Sequence, residues 1–188
     1  VLDILQEKAS VNTVWAYTYS YGHSRLTPGG ETPLPDHGKY EFRPNYVGGS
    51  FVEYDTKYFR GTALTEFRSP HYDDFNVVKA VAPKTKARGM DLFAWDYNNA
   101  YSTIPRVMPN FSTVLEVDVY GRCVDSACFN KENYRNHLFG KIENYLKTYP
   151  EIEGIAWGCE RFGPIGNMIG GSRRISCFCS DCRAKARG

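Results

Sequence analysis

Three short stretches, NTVWAYT (12–18), MDLFAWD (90–96) and GIAWGCE (154–160), run apolar with almost no polar alternation. A strand reads this way when both of its faces are covered, the situation of a parallel sheet. A fourth stretch, TVLEVDV (113–119), alternates and puts Glu116 and Asp118 on one face. Helical patterns fall before and between these runs. The opening VLDILQEKA carries Leu2, Leu5 and Ala9 on one stripe, so the chain is expected to begin inside a fold. Phe75, Val78, Val81 and Thr85 keep helical spacing after the capping candidates Asp73 and Asp74, with a kink or restart expected at Pro83 and a C-cap at Gly89. The clearest helix is expected over 131–148, capped by Asn130, with Tyr134, Leu138, Ile142, Tyr145 and Tyr149 facing one way and Pro150 ending it.

Helices alternating with buried strands predict a parallel α/β fold. Doubly wound sheets and (β/α)₈ barrels share the pattern. Long, aromatic-rich connections such as Tyr19 to Tyr72, and the lack of a glycine-rich phosphate fingerprint after the first strand, favour the barrel. GGSFVEYD reads as loop. A whole TIM barrel takes about 250 residues, so the 188 residues predict a single domain holding its first half, about four strands. The alternative is a complete, smaller open sheet. The gap at 97–112, without a clear helix, is where the barrel pattern is weakest.

Hydrophobic residues make up 42% and aromatics 15%, a globular composition, and no apolar run is long enough to span a membrane. The net charge of +2 is spread along the chain, and the basic RAKARG end reads as a solvated helix terminus, so nucleic acid is not an expected partner. No leader is visible at the N-terminus. A half barrel leaves sheet edges unpaired, which predicts some self-association.

Reactive groups of parallel barrels stand at the C-terminal ends of strands. Glu160 takes that place on the fourth run, flanked by Trp157, Arg161 and Phe162. It is the candidate general acid, its alternative being an ion pair with Arg161 or Arg173. Asp118, Glu116 and Asp96 are further carboxylates that end in caps or ion pairs if they do not bind hydroxyls. Trp15, Tyr17, Trp95 and Trp157 offer ring faces to a sugar's C–H surface, the competing role for each tryptophan being core. His23 and His71 fall in loops and His137 in mid-helix.

The cysteines are grouped. CFCSDC places Cys177, Cys179 and Cys182 at C-x-C-x-x-C spacing, and zinc prefers four ligands in a tetrahedron, with thiolates favoured at structural sites. The fourth ligand is Cys128 or Cys123, and Cys159 reads as core. Disulfides or free thiols are the alternative. A site without histidine would be structural.

The run from CFNKENYRNHLFGKIENYLKTYPEIEGIAWGCE to CFCSDCRAKA resembles barrel hydrolases of the glycoside-hydrolase type and is similar to family 42 β-galactosidases. The resemblance covers residues 111–188 and implies an acid/base at Glu160 and a Cys₄ zinc site of Cys128, Cys177, Cys179 and Cys182. It also implies a nucleophile on a seventh strand that these 188 residues do not include. Cys159 stands where those enzymes carry Asn. The expected function is therefore a carbohydrate-active barrel hydrolase with structural Zn²⁺, present as an incomplete fragment. Asp118, Trp15, Tyr17, Trp95, Asp96, Trp157 and Arg161 would bind the sugar. The alternatives are a non-catalytic carbohydrate-binding or structural barrel, and a redox or zinc-dependent regulator.

Overall fold

The computed structural model describes residues 1–20, 49–64, 68–69, 74–97, 108–158 and 177–188. In chain order the elements are α1 (Leu2–Ala9), β1 (Thr13–Tyr17), β2 (Tyr19–Ser20), β3 (Gly49–Ser50), α2 (Val77–Lys86), β4 (Asp91–Tyr97), β5 (Leu115–Val117), β6 (Cys123–Ala127), α3 (Glu132–Thr148), β7 (Gly154–Gly158) and α4 (Ser180–Ala186). Single 3₁₀ turns occupy Thr56–Tyr58 and Phe111–Val114.

The three apolar runs form one parallel sheet in the order β1-β4-β7. Ala16, Leu92 and Ala94 point to one side, where Val78 and Ala82 of α2, Tyr145 of α3 and Tyr149 just after it close over them. Side chains alternate along a strand, so Trp15, Tyr17, Phe93 and Trp95 project from the opposite face. They meet there edge-on or tilted, with Trp15–Trp95 centroids 5.8 Å apart and Trp15 56% exposed. Small residues let the layers approach. A Cβ on Gly140 of α3 would sit 2.8 Å from the Tyr58 carbonyl, and one on Gly154 would sit 2.9 Å from the Phe93 ring.

Local signals explain the helix ends. α2 is capped by Asn76, whose side chain accepts the Lys79 N–H at 3.0 Å, and not by Asp74, while Asp73 lies outside the described residues. The helix runs through Pro83 without restarting. Beyond it Gly89 takes φ +61°, and the Met90 N–H returns to the Thr85 carbonyl, closing the terminus. α3 matches its expected span, but Asn130 does not cap it; the cap position is Lys131, without a side-chain bond. GGSFVEYD is not all loop, because Gly49 and Ser50 pair antiparallel with Ser20 and Tyr19.

The half barrel is not what forms. In a barrel the third strand stands between the second and the fourth, whereas β4 pairs directly with β7, from Phe93↔Gly154 to Tyr97↔Gly158. The third predicted strand, as β5, pairs antiparallel with β6 in a separate hairpin, Leu115↔Ala127 and Val117↔Cys123. A parallel neighbour requires a long, usually helical, crossover, and the described part of that connection, 108–114, holds only a 3₁₀ turn. A hairpin closes over a few residues at small entropic cost. The alternation of TVLEVDV was the signal, since an antiparallel pair can face water on one side. Tyr19, Leu64, Met108, Phe111, Val114, Ala127 and Tyr134 form a second core that seats the hairpin on the first turns of α3. Among the described residues no helix is long and apolar enough to cross a membrane.

Candidate metal centre

The hairpin carries the site. Cys128 follows β6 directly, is 2% exposed, and donates its N–H to the Val114 carbonyl at 2.8 Å. The segment Cys177–Cys179 lies along β5, with the Phe178 N–H on the Val117 carbonyl at 2.7 Å and the Val117 N–H on Cys177 Sγ at 3.3 Å. Cys179 then occupies the N-cap position of α4 and Cys182 its first turn. The four sulfurs of Cys128, Cys177, Cys179 and Cys182 all lie within 4.8 Å of one another, and the group could hold a metal ion.

Cys128 Sγ is 3.4 Å from Cys182 Sγ and 3.7 Å from Cys179 Sγ. A Zn–S bond of about 2.3 Å implies tetrahedral S–S edges of about 3.8 Å, whereas a disulfide needs about 2.05 Å. The spacing therefore fits thiolates around an ion, and these cysteines are unbridged. Cys123, five residues earlier, sits exposed opposite Val117 and outside the group, so Cys128 is the hairpin's contribution.

Donors surround the sulfurs. The Cys179 N–H points at Cys177 Sγ at 3.5 Å, and Asn130 Nδ2 donates to Cys182 Sγ at 3.2 Å. Lys185 Nζ holds the other end of that amide, 3.2 Å from Asn130 Oδ1, and so fixes which end faces the sulfur. Lys131 Nζ stands 3.5 Å from Asp181. Burial pushes the thiols of Cys128 and Cys177 above the ordinary cysteine range. At Cys179 burial opposes ionisation too, but hydrogen bonding from the Cys182 backbone and the neighbouring thiols outweighs it and holds Cys179 low.

The other candidate residues are dispersed. Glu160 and Arg161, with Cys159, His23 and His71, lie outside the described residues. Asp118 locks the hairpin turn: Oδ1 accepts the Tyr120 and Arg122 N–H groups at 2.9 Å each, and Oδ2 accepts from Arg122 Nε at 2.8 Å. Burial opposes its charge, yet those bonds win and hold its carboxyl below the ordinary carboxylate range. Trp15, Tyr17 and Trp95 share the open sheet face. Asp96 and Trp157 are register partners at the end of the sheet and belong to the helix-covered side. Asp96 is wholly buried there, with Lys141 Nζ at 3.0 and 2.9 Å from its two oxygens, the Tyr145 hydroxyl at 2.7 Å and the Tyr54 hydroxyl at 3.3 Å. The Tyr19 and Trp157 rings face the same ammonium at 5.1 and 5.9 Å. Burial, and then the charge of Asp96, push the Tyr145 phenol well up, so it stays a donor.

Asn130, Lys185 and Lys141 were not among the expected site residues. Asn130 carried a usable signal, standing two residues after Cys128 at the head of a helix it does not cap. Lys141 carried none, since a lysine in an amphipathic helix ordinarily reads as surface. Comparison with protein-family models, curated proteins and solved structures found no match to this chain.

Proposed function

We propose that Cys128, Cys177, Cys179 and Cys182 bind one zinc ion as a structural centre that fastens α4 to the β5–β6 hairpin. The convergence of four sulfurs within 4.8 Å carries this reading. Four soft thiolates in a tetrahedral arrangement suit zinc, and a complete protein ligand set leaves no position for a reacting water. Asn130 and the Val117 amide, by donating to sulfur, offset the charge that four thiolates concentrate.

Metal analysis of the purified chain is expected to find one zinc per molecule, and cobalt(II) substitution is expected to give a tetrahedral thiolate spectrum. Burial keeps Cys128 and Cys177 protonated when no metal is bound, so zinc must displace protons at neutral pH. Affinity should rise with pH, about tenfold per unit for each proton released. Sub-stoichiometric zinc, or binding without proton release, argues against the reading.

A second reading, carbohydrate recognition, is favoured by the row Trp15, Tyr17 and Trp95, in which Trp15 is more than half exposed. Glu160 is then the proposed acid. Against a panel of oligosaccharides, Trp15→Ala is expected to weaken binding about tenfold, or ~1.4 kcal/mol. Glu160→Gln is expected to keep binding and lose any hydrolysis ~10²-fold. A panel that the native chain does not bind removes this reading.

A further inference from the structure

The same sulfur geometry that suits a metal also sets up one particular oxidation. Cys128 and Cys179 are 2% and 5% exposed, whereas Cys177 and Cys182 are only half-buried. Of these two, Cys177 Sγ accepts two backbone N–H groups, from Val117 and Cys179, which draw charge from it. Cys182 Sγ takes the single amide of Asn130 and stands 3.4 Å from Cys128 Sγ. Closing that pair to a bond needs about 1.3 Å of approach.

We propose, building on the zinc reading, that the centre is a peroxide-sensitive clasp in which Cys182 reacts first and Cys128 resolves it. The Cys182 thiolate attacks one oxygen of hydrogen peroxide. The S–O bond forms as the O–O bond breaks, and the departing hydroxide takes a proton to become water. The Cys128 thiolate then attacks the sulfenic sulfur. The S–S bond forms as the S–O bond breaks, and the second hydroxide also becomes water. Two thiolates, one peroxide and two protons thus give one disulfide and two waters, the sulfurs losing the two electrons that the peroxide gains. Cys177 and Cys179 alone no longer complete a tetrahedron, so zinc leaves, while the Cys128–Cys182 bond keeps α4 attached to the hairpin. Reduced and oxidised chains therefore share one tether, metallic in the first state and covalent in the second.

The test uses zinc-loaded chain with Cys123→Ser and Cys159→Ser, which leaves only the four clustered cysteines in the thiol count. Hydrogen peroxide is added stepwise, released zinc is read with a chromogenic chelator, and alkylated digests are mapped by mass spectrometry. The expected result is one zinc freed per two thiols lost, a linked peptide joining Cys128 to Cys182, alkylated Cys177 and Cys179, and recovery of zinc binding after thiol reduction. Retention of metal and of all four thiols in excess peroxide overturns the proposal, as does a disulfide between any other pair. A chain that takes up no zinc defeats the zinc reading and this proposal together, whereas zinc uptake followed by either of those results defeats this proposal alone.

Discussion

Cys128→Ser is expected to weaken zinc binding by more than about 100-fold and to release α4, while the parallel sheet stays folded. The size follows from two comparisons. Losing an outer partner of a metal ligand costs about 10- to 100-fold in affinity, so losing a ligand costs more, and a structural zinc is worth about 10–16 kcal/mol to the peptide that folds around it. α4 has little else to hold it. It is seven residues long and buries none of them, and isolated helices below about 12–15 residues are marginal in water. The sheet, by contrast, rests on Ala16, Leu92, Ala94, Val78 and Tyr145, none of which belongs to the cluster's ligand set. Zinc titration and amide hydrogen exchange over Ser180–Ala186 check both halves of the expectation. Wild-type affinity in the serine variant would mean that another group is the fourth ligand.

The second large effect is at the buried ion pair. Lys141→Met is expected to cost about 3–5 kcal/mol, read as a lower midpoint in urea unfolding, because it removes the ammonium that pairs with the buried Asp96 carboxylate. Asp96 is 0% exposed and the Lys141 side chain 4%. The Tyr145 and Tyr54 hydroxyls still donate to the carboxylate but bring no charge. The double variant Asp96→Leu with Lys141→Met is expected to recover a large part of the loss, since an apolar pair needs no desolvated charges. A single variant within about 1 kcal/mol of the native chain would show that water reaches the pair.

Some of this organisation was legible residue by residue. Apolar runs without alternation located β1, β4 and β7 within a residue or two, and the spacing of Tyr134, Leu138, Ile142 and Tyr145 located α3. These signals are local, since each element must bury its own face. The C-x-C-x-x-C spacing likewise brings three sulfurs together through one turn and the start of one helix, whatever the rest of the chain does.

The rest depended on partners distant in sequence. TVLEVDV can join a parallel sheet or a hairpin, and what decides is which strand satisfies its backbone groups; here that is the nearby CVDSA, over the turn that Asp118 closes. The choice between Cys123 and Cys128 follows from the same pairing. The hairpin register puts Cys123 opposite Val117 and leaves Cys128 just past the ladder, with its buried thiol among those of Cys177, Cys179 and Cys182. Lys141 is interior only because Asp96, next to last in β4, lies beneath that turn of α3. The sheet-forming runs, the long helix and three of the four clustered thiols could be read from residue order, because periodicity and short-range spacing act within one element. Tertiary structure alone decided the hairpin, the fourth thiol and the buried Lys141–Asp96 pair, because hydrogen-bond pairing and desolvation are properties of two segments in contact.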